Sequence, residues 1–319
     1  MTQEQQRTRD ILKRGAYRGW QNYQWLAKLF IPFSFLMAIL QWTGWLLEAG
    51  NALNPLMQLL SLPGEAAIPI IAGVFTNPYA TIAIISTVPF SAGQMVLIAV
   101  FVLICHSLIF ESIIQHRAGI TFPKIFFIRL AAAILATLFI SQFLADTAQP
   151  VAMTTELTEV VPFSQMARDW AVAMGILLLK IAGIIIGIMI TIELLREKGG
   201  IAYINRFLGP FLRSIGLSRR TAILWVTAVS FGVFYGGAVI MEEAKNQDFK
   251  KAELDQLHIS IGINHSMIED PLLFLATGIN GFWLWVPRLV TAIIAVQIDR
   301  GVQQIRERFP RRRKSVVHQ

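Results

Sequence analysis

The sequence predicts an all-α polytopic membrane protein made of two inverted-topology repeats, each of about three transmembrane helices plus a re-entrant helical hairpin. Three observations carry that prediction. The 319 residues are 55% hydrophobic and 15% charged, with a mean hydropathy of +0.55, and several apolar runs approach the ~20 residues that cross a bilayer. One displacement of 159 positions lays separate blocks of the chain on one another. Basic residues gather at the ends of the apolar runs, the pattern that fixes sidedness in a membrane.

The chain opens on a basic segment, 1–24, carrying Arg7, Arg9, Lys13, Arg14 and Arg18, and closes on a basic tail, 300–319, carrying "RERFPRRRK". Both termini are therefore expected on the cytoplasmic side of the cytoplasmic (inner) membrane. The formal charge of +8, placed this way, reports sidedness, and no nucleic-acid partner is expected. The first apolar run is long and lacks a small-residue cleavage site, so it reads as a retained span. A single cysteine, Cys105, excludes an internal disulfide. No GxxxxGK[ST] loop, HExxH or CxxC occurs. Nucleotide-driven pumping and zinc hydrolysis lose their usual signatures, and neither an enzyme nor a cofactor is expected.

Candidate spans are 25–47, 94–114, 125–145, 170–195, 254–275 and 283–299, whereas 66–89 and 220–240 are apolar but interrupted. Asn77-Pro78 and Pro89 interrupt the first, and Tyr235-Gly236-Gly237 the second. The displacement places "ICHSLIFESIIQHRAGI" (104–120) on "INHSMIEDPLLFLATGI" (263–279), Gly73-Val74-Phe75 on Gly232-Val233-Phe234, and Arg129-Leu130 on Arg288-Leu289. This divides the chain into a first repeat, 25–145, an extracytoplasmic linker, 146–167, and a second repeat, 168–299. If 66–89 crossed fully, the region around Arg117 and Lys124 would face out and the acidic stretch "DTAQPVAMTTELTEV" would face in. That order contradicts the positive-inside rule, so both interrupted segments are read as re-entrant hairpins. The competing arrangement has seven or eight ordinary spans. Three crossings per repeat invert the second copy, and in such proteins the substrate site lies where broken helices meet near the midplane. Segments 48–62 and 199–215 read as interfacial helices, with Trp20, Trp25, Trp42 and Trp45 marking membrane interfaces.

Polar residues inside the apolar runs are the candidate site. Glu111 maps onto Asp270 and Arg129 onto Arg288, which gives each copy an acid about 18 positions before an arginine. The pairs Glu111–Arg129 and Asp270–Arg288 are expected to hold or switch neighbouring helices, because an unpaired charge in the bilayer costs roughly 2.5 to 3.5 kcal/mol. His106-Ser107 maps onto His265-Ser266, and an imidazole here can bind solute, relay a proton or bond a carbonyl. Asn264, Glu269 and Pro271 face Cys105, Phe110 and Ser112 in the first copy. His265, Glu269 and Asp270 lack a further strong ligand, so no metal site is assigned to them. Asn77 marks the first hairpin tip, and Tyr235, Gly236, Gly237 and Glu242 the second, where small residues permit close backbone approach. Lys180 stands in the middle of "MGILLLKIAGIIIGIMI" and needs a carboxylate or a cavity, while Glu193 reads as interfacial.

The stretches "FGVFYGGAVIMEE" and "GINHSMIEDP" resemble the nucleoside-recognition, or Gate, domain. That domain also occurs in the membrane part of the ferrous-iron transporter FeoB, in spore maturation membrane proteins and in relatives of concentrative nucleoside transporters. The resemblance is clearest over 60–136 and 218–296 and implies a helical fold with hairpins near a central site. It also implies that Tyr235, Gly236, Gly237 and Glu242 lie at the hairpin, with Asn264, His265, Glu269 and Asp270 on the broken helix that follows. The expected function is a permease for a small polar solute, nucleoside-like or otherwise, working by alternating access with proton or sodium coupling. A divalent metal-ion permease and a non-transporting membrane scaffold or signalling component are the alternatives. Expected partners are the lipid bilayer, the small-molecule solute, the proton or sodium ion, and further copies of the chain in a homo-oligomer.

Overall fold

The computed structural model describes residues 3–145, 147–149, 161–197 and 249–308, and within 212–241 it describes 212, 217, 218, 221, 224–226, 228, 229, 232, 233, 237, 240 and 241. Among the described residues every regular element is helical. The protein is an all-α polytopic membrane protein, and four stretches are long and apolar enough to cross: Ala92–Arg117, Phe122–Ser141, Phe163–Thr191 and Gly281–Ile305.

Helix α1, Gln3–Trp42, runs unbroken from the basic N-terminal segment through the first apolar run. It lies along α8, Phe163–Glu197. Gly15 and Gly19, one helical turn apart, set this approach: a Cβ on either would come within 2.8 Å of the α8 backbone at Ile190 or Ile186. Small residues at such spacing let membrane helices pack backbone to backbone. At one end of the pair Arg7 lies 2.7 Å from Glu197, and Arg14 and Arg18 lie 3.3 and 2.8 Å from Glu193. The Arg7 hydrogen bonds hold the Glu197 carboxyl below its ordinary pKa. After Gly44, which has a φ of 80° that favours glycine, α2 spans Trp45–Gln58 and leaves Trp45 and Leu56 exposed. Such exposed apolar side chains suit the interfacial position expected for 48–62.

The first interrupted segment folds as a helical hairpin, α3 (Ala67–Phe75) and α4 (Pro78–Ile85), entered through a short 3-10 turn at Gly64–Ala66. Asn77 caps α4 by accepting from the Ala80 N–H at 3.2 Å, and Pro78 occupies the first turn, where no N–H is needed. Next come α5 (Ala92–Cys105), opened by a Ser91–Gln94 capping box, then α6 (Leu108–Arg117) and α7 (Phe122–Ser141). Beyond α8, the second repeat presents α9 (Lys251–Asn264), α10 (Glu269–Leu275) and α11 (Gly281–Arg308). Helix α5 packs on α7 and α9 on α11, while α5 also touches α11 and α9 touches α7. The two copies thus share one core, in which the matched helices cross-pack.

The spans expected at 94–114 and 254–275 are each two helices rather than one. Both break at the same place, where His106 and His265 are extended (ψ 155° and 163°) and the following Ser107 and Ser266 are left-handed (φ 45° and 48°). A non-glycine residue in that region costs on the order of 1 to 2 kcal/mol. It persists because the freed peptide groups find partners: Ser107 N–H donates to Gly73 O at 3.1 Å, its hydroxyl donates to Thr76 O, and Met267 N–H donates to Val229 O at 2.9 Å. Each break is therefore latched to the interrupted apolar segment of its own repeat.

Close packing at the hairpin supplies a test. A Cβ on Gly73 would lie 2.4 Å from Thr81 Oγ1 and 2.6 Å from Val102 Cγ1, whereas one on Gly183 meets nothing within 4 Å. Gly73→Ala is expected to destabilise the detergent-solubilised protein by about 1 to 3 kcal/mol. Gly183→Ala is expected to stabilise it by about 0.5 kcal/mol through helix propensity. Thermal unfolding of both variants against the parent reads the difference in sign.

Candidate functional site

Two arginines build the frame of the site. Arg129, on α7, donates from Nε to Ile104 O at 3.0 Å and from Nη2 to His106 O at 2.9 Å. Arg288, on α11, repeats this with Ile263 O at 3.2 Å and His265 O at 2.8 Å. Both are fully buried. Helix C-termini leave carbonyls without partners and carry partial negative charge, so a guanidinium fork placed there meets both the hydrogen-bonding and the electrostatic demand. The repeat seen in the sequence is thus a repeat of contacts, in which each arginine caps the helix that ends in its own repeat's histidine.

The histidines then meet. His106 Nδ1 lies 3.1 Å from Val102 O, and His265 Nδ1 lies 3.1 Å from Ile261 O. A carbonyl oxygen only accepts, so each Nδ1 carries its hydrogen and each Nε2 is left to face the centre. The two Nε2 atoms are 2.8 Å apart, with ring centroids at 4.5 Å and planes inclined by 49°. Glu111 lies beneath them, 3.4 Å from His106 Nε2, 3.1 Å from His265 Nε2 and 2.8 Å from Arg129 Nη2. Its Oε2 satisfies ion-pair distance to Arg129 without hydrogen-bond alignment.

Asp270 does not mirror Glu111. The expected Asp270–Arg288 pair is not formed at ion-pair distance, and Asp270 Oδ2 instead lies 3.6 Å from His106 Nε2, across the repeat boundary, with no hydrogen-bond partner. Chain length explains the difference: aspartate is one methylene shorter than the glutamate at the matching position, while both arginines are anchored to carbonyls in the same way. The centre is buried from all sides, with His106, His265, Glu111 and Asp270 each at most 5% exposed.

Residues 24–155 match the family model described as Gate, nucleoside recognition. The uncharacterized membrane protein YvoD of Bacillus subtilis (strain 168) is 30% identical over 290 residues, which are 89% of this chain and 92% of that relative. The chain belongs to the Gate family of membrane proteins. The family model falls on the first repeat, although the motifs that most resemble the family in the sequence lie in the second. No solved structure matches.

The structure of this Gate protein sorts the remaining candidates. Ser107 latches the first hairpin, and Ser266 faces the second interrupted segment, its Oγ standing 2.9 Å from where a Cβ on Gly232 would be. Asn77 serves as a helix cap. Glu269 receives a 2.5 Å hydrogen bond from the Tyr79 hydroxyl, which ties α4 of the first repeat to α10 of the second. Asn264 is fully buried, and neither end of its amide has a partner. Gly237 approaches α6 so closely that a Cβ would come 2.6 Å from Ile114. Lys180 is exposed on α8, outside the central cluster, and no ion pair forms on it among the described residues. Tyr235, Gly236 and Glu242 lie outside the described residues.

Two participants were not read from the sequence. Tyr79 stands two positions after Asn77, and its nearness to the hairpin tip was the available signal. Gln115, fully buried with both amide atoms unpartnered, continues the polar side of α6 one turn beyond Glu111. A groove of about 1520 Å³ between α7 and α11 is lined by Leu135, Phe139, Val290 and Ile294, with Lys124 and Asp299 at one end. Its apolar lining suits lipid chains or a neighbouring helix better than a polar solute, and none of the central residues lines it.

Removal of a single polar contact is measurable. Arg129→Met strips Ile104 O and His106 O of their donor and Glu111 of its counter-charge and is expected to cost about 3 to 5 kcal/mol, read as loss of folded, monodisperse protein or a large fall in unfolding midpoint. Tyr79→Phe removes one bond to a carboxylate and is expected to cost about 1.5 kcal/mol on the same scale. Equal effects would contradict the ranking of these two contacts.

Proposed function

We propose that this Gate protein is a permease that carries a small polar solute across the cytoplasmic membrane by alternating access, driven by an accompanying cation. The observation that carries the reading is the contact between His106 and His265, matched residues of the two repeats, at 2.8 Å in a closed polar centre. A centre built from broken helices of both repeats is where a carrier's two halves would exchange accessibility. Around it, Asp270 Oδ2, the Asn264 amide, Arg129 Nη1 and Arg288 Nη1 are buried without hydrogen-bond partners. Buried polar atoms rarely stay unpaired, so this set supports a bound polar species during the working cycle. Inversion of the second repeat, cytoplasmic termini and an extracytoplasmic 146–167 complete the proposal, with a homo-oligomer as its assembled form. Enzymatic turnover is not part of it.

Flux tests the reading directly. Protein reconstituted in liposomes is expected to accumulate at least one of a panel of labelled nucleosides, nucleobases and organic acids under an imposed proton or sodium gradient. His106→Ala is expected to lower that uptake at least ~10-fold, as the loss of a positioned proton-handling or binding group does. Absence of flux for every solute, from liposomes in which the protein is verified as folded, would overturn the proposal. Topology is separately measurable because Cys105 is buried. A cysteine introduced at 152 is expected to react with an impermeant maleimide in intact cells, and one at 315 only after permeabilisation.

A further inference from the structure

Electron pairs converge on one point between His106 and His265. Each Nδ1–H is committed to a carbonyl one helical turn back, at 3.1 Å, so in the neutral rings both Nε2 atoms present lone pairs to each other at 2.8 Å. Two acceptors at that separation repel unless a cation lies between or beside them. Further acceptors close in from both repeats: Glu111 oxygens at 3.4 and 3.1 Å from the two Nε2 atoms, and Asp270 Oδ2 at 3.6 Å from His106 Nε2. Asp270 Oδ2 is buried without a hydrogen bond.

We propose that His106 Nε2, His265 Nε2 and an Asp270 carboxylate oxygen bind a single divalent first-row transition-metal ion at the junction of the two repeats, with Glu111 beside it and the fourth position left to water or solute. A tetrahedral ion with bonds of about 2.0 to 2.1 Å places its ligand atoms about 3.3 Å apart. The His106–His265 and His106–Asp270 separations, 2.8 and 3.6 Å, bracket that value, and the ligand atoms of His106, His265 and Asp270 all lie within 4.8 Å of one another. Opening the histidine pair by about half an ångström brings its two nitrogens to that spacing. The donor set suits the proposal in two further ways. Two imidazoles select zinc, iron, cobalt or nickel over sodium, magnesium or calcium. Each ligating histidine has its second nitrogen bonded to a carbonyl, the supporting arrangement that orients metal-binding imidazoles.

The site lies in the centre of the permease reading and rests on that reading for any passage of the ion, not for its binding. Sequence spacing within one repeat misses the site because its ligands come from both repeats, 159 positions apart.

The test uses the full chain in lipid nanodiscs, stripped with a chelator and titrated with Co²⁺, Zn²⁺ and Mn²⁺. One equivalent per chain is expected, with Co²⁺ giving the intense visible absorption of a four-coordinate site. Asp270→Asn is expected to weaken binding on the order of 100-fold. The His106→Ala/His265→Ala double variant is expected to abolish the Co²⁺ band, and Lys180→Ala to leave it unchanged. If the double variant does not fold, His265→Gln is read instead, with the same expectation of a lost band. Binding well below one equivalent, or binding that survives the histidine substitutions, overturns the proposal. Solute flux is scored in parallel: flux without stoichiometric metal binding removes the metal site and leaves the permease. Stoichiometric metal binding without flux supports the site while removing the permease.

Discussion

The guanidinium-to-carbonyl contacts of Arg129 and Arg288 are the constraint on which the rest of the molecule depends. Breaking a membrane helix exposes peptide groups that have no water to turn to. Here each break falls where a buried arginine from the same repeat takes the freed carbonyls, at 2.8 to 3.2 Å. The charge needed for that task then requires its own compensation, which Glu111 gives to Arg129 directly at 2.8 Å. Once the helices stop at His106 and His265, their final residues point at each other, and the centre follows.

Packing and chemistry are therefore not separable in this protein. The serine that follows each histidine is left-handed, and the strain is held by contacts to the hairpin segments. The first hairpin in turn is close-packed through Gly73, and the second interrupted segment through Gly232 and Gly237, where a side chain has no room. Movement of a hairpin would pull on Ser107 or on the segment around Met267, and through them on the histidines. Tyr79 adds a link between repeats by bonding to Glu269 at 2.5 Å.

Much of this was legible in the chain itself. The apolar runs, the displacement of 159 and the co-occurrence of acid and arginine in both copies place Glu111 beside Arg129 and set His106 as the equal of His265. The break in the second copy was expected only through the family resemblance and that in the first was not legible, because neither His106-Ser107 nor His265-Ser266 contains the glycine or proline that announces one. What stops the helix is a tertiary partner, the arginine, which local propensity does not register. The missing Asp270–Arg288 pair turned on a single methylene, a difference that pattern matching treats as conservative. The meeting of the histidines across the repeat boundary was likewise invisible to spacing, since it depends on how the two copies dock.

That unequal pair of acids has a consequence for how such a molecule can work. The two repeats share one frame, but only one acid is anchored to its arginine while the other leans across to the opposite histidine. A repeated frame with a lopsided occupation has a counterpart, the arrangement in which Asp270 is anchored and Glu111 is released. Exchanging the roles of the two halves would trade the Glu111–Arg129 pair for an Asp270–Arg288 contact that is not formed here. The aspartate's shorter reach weighs against that exchange.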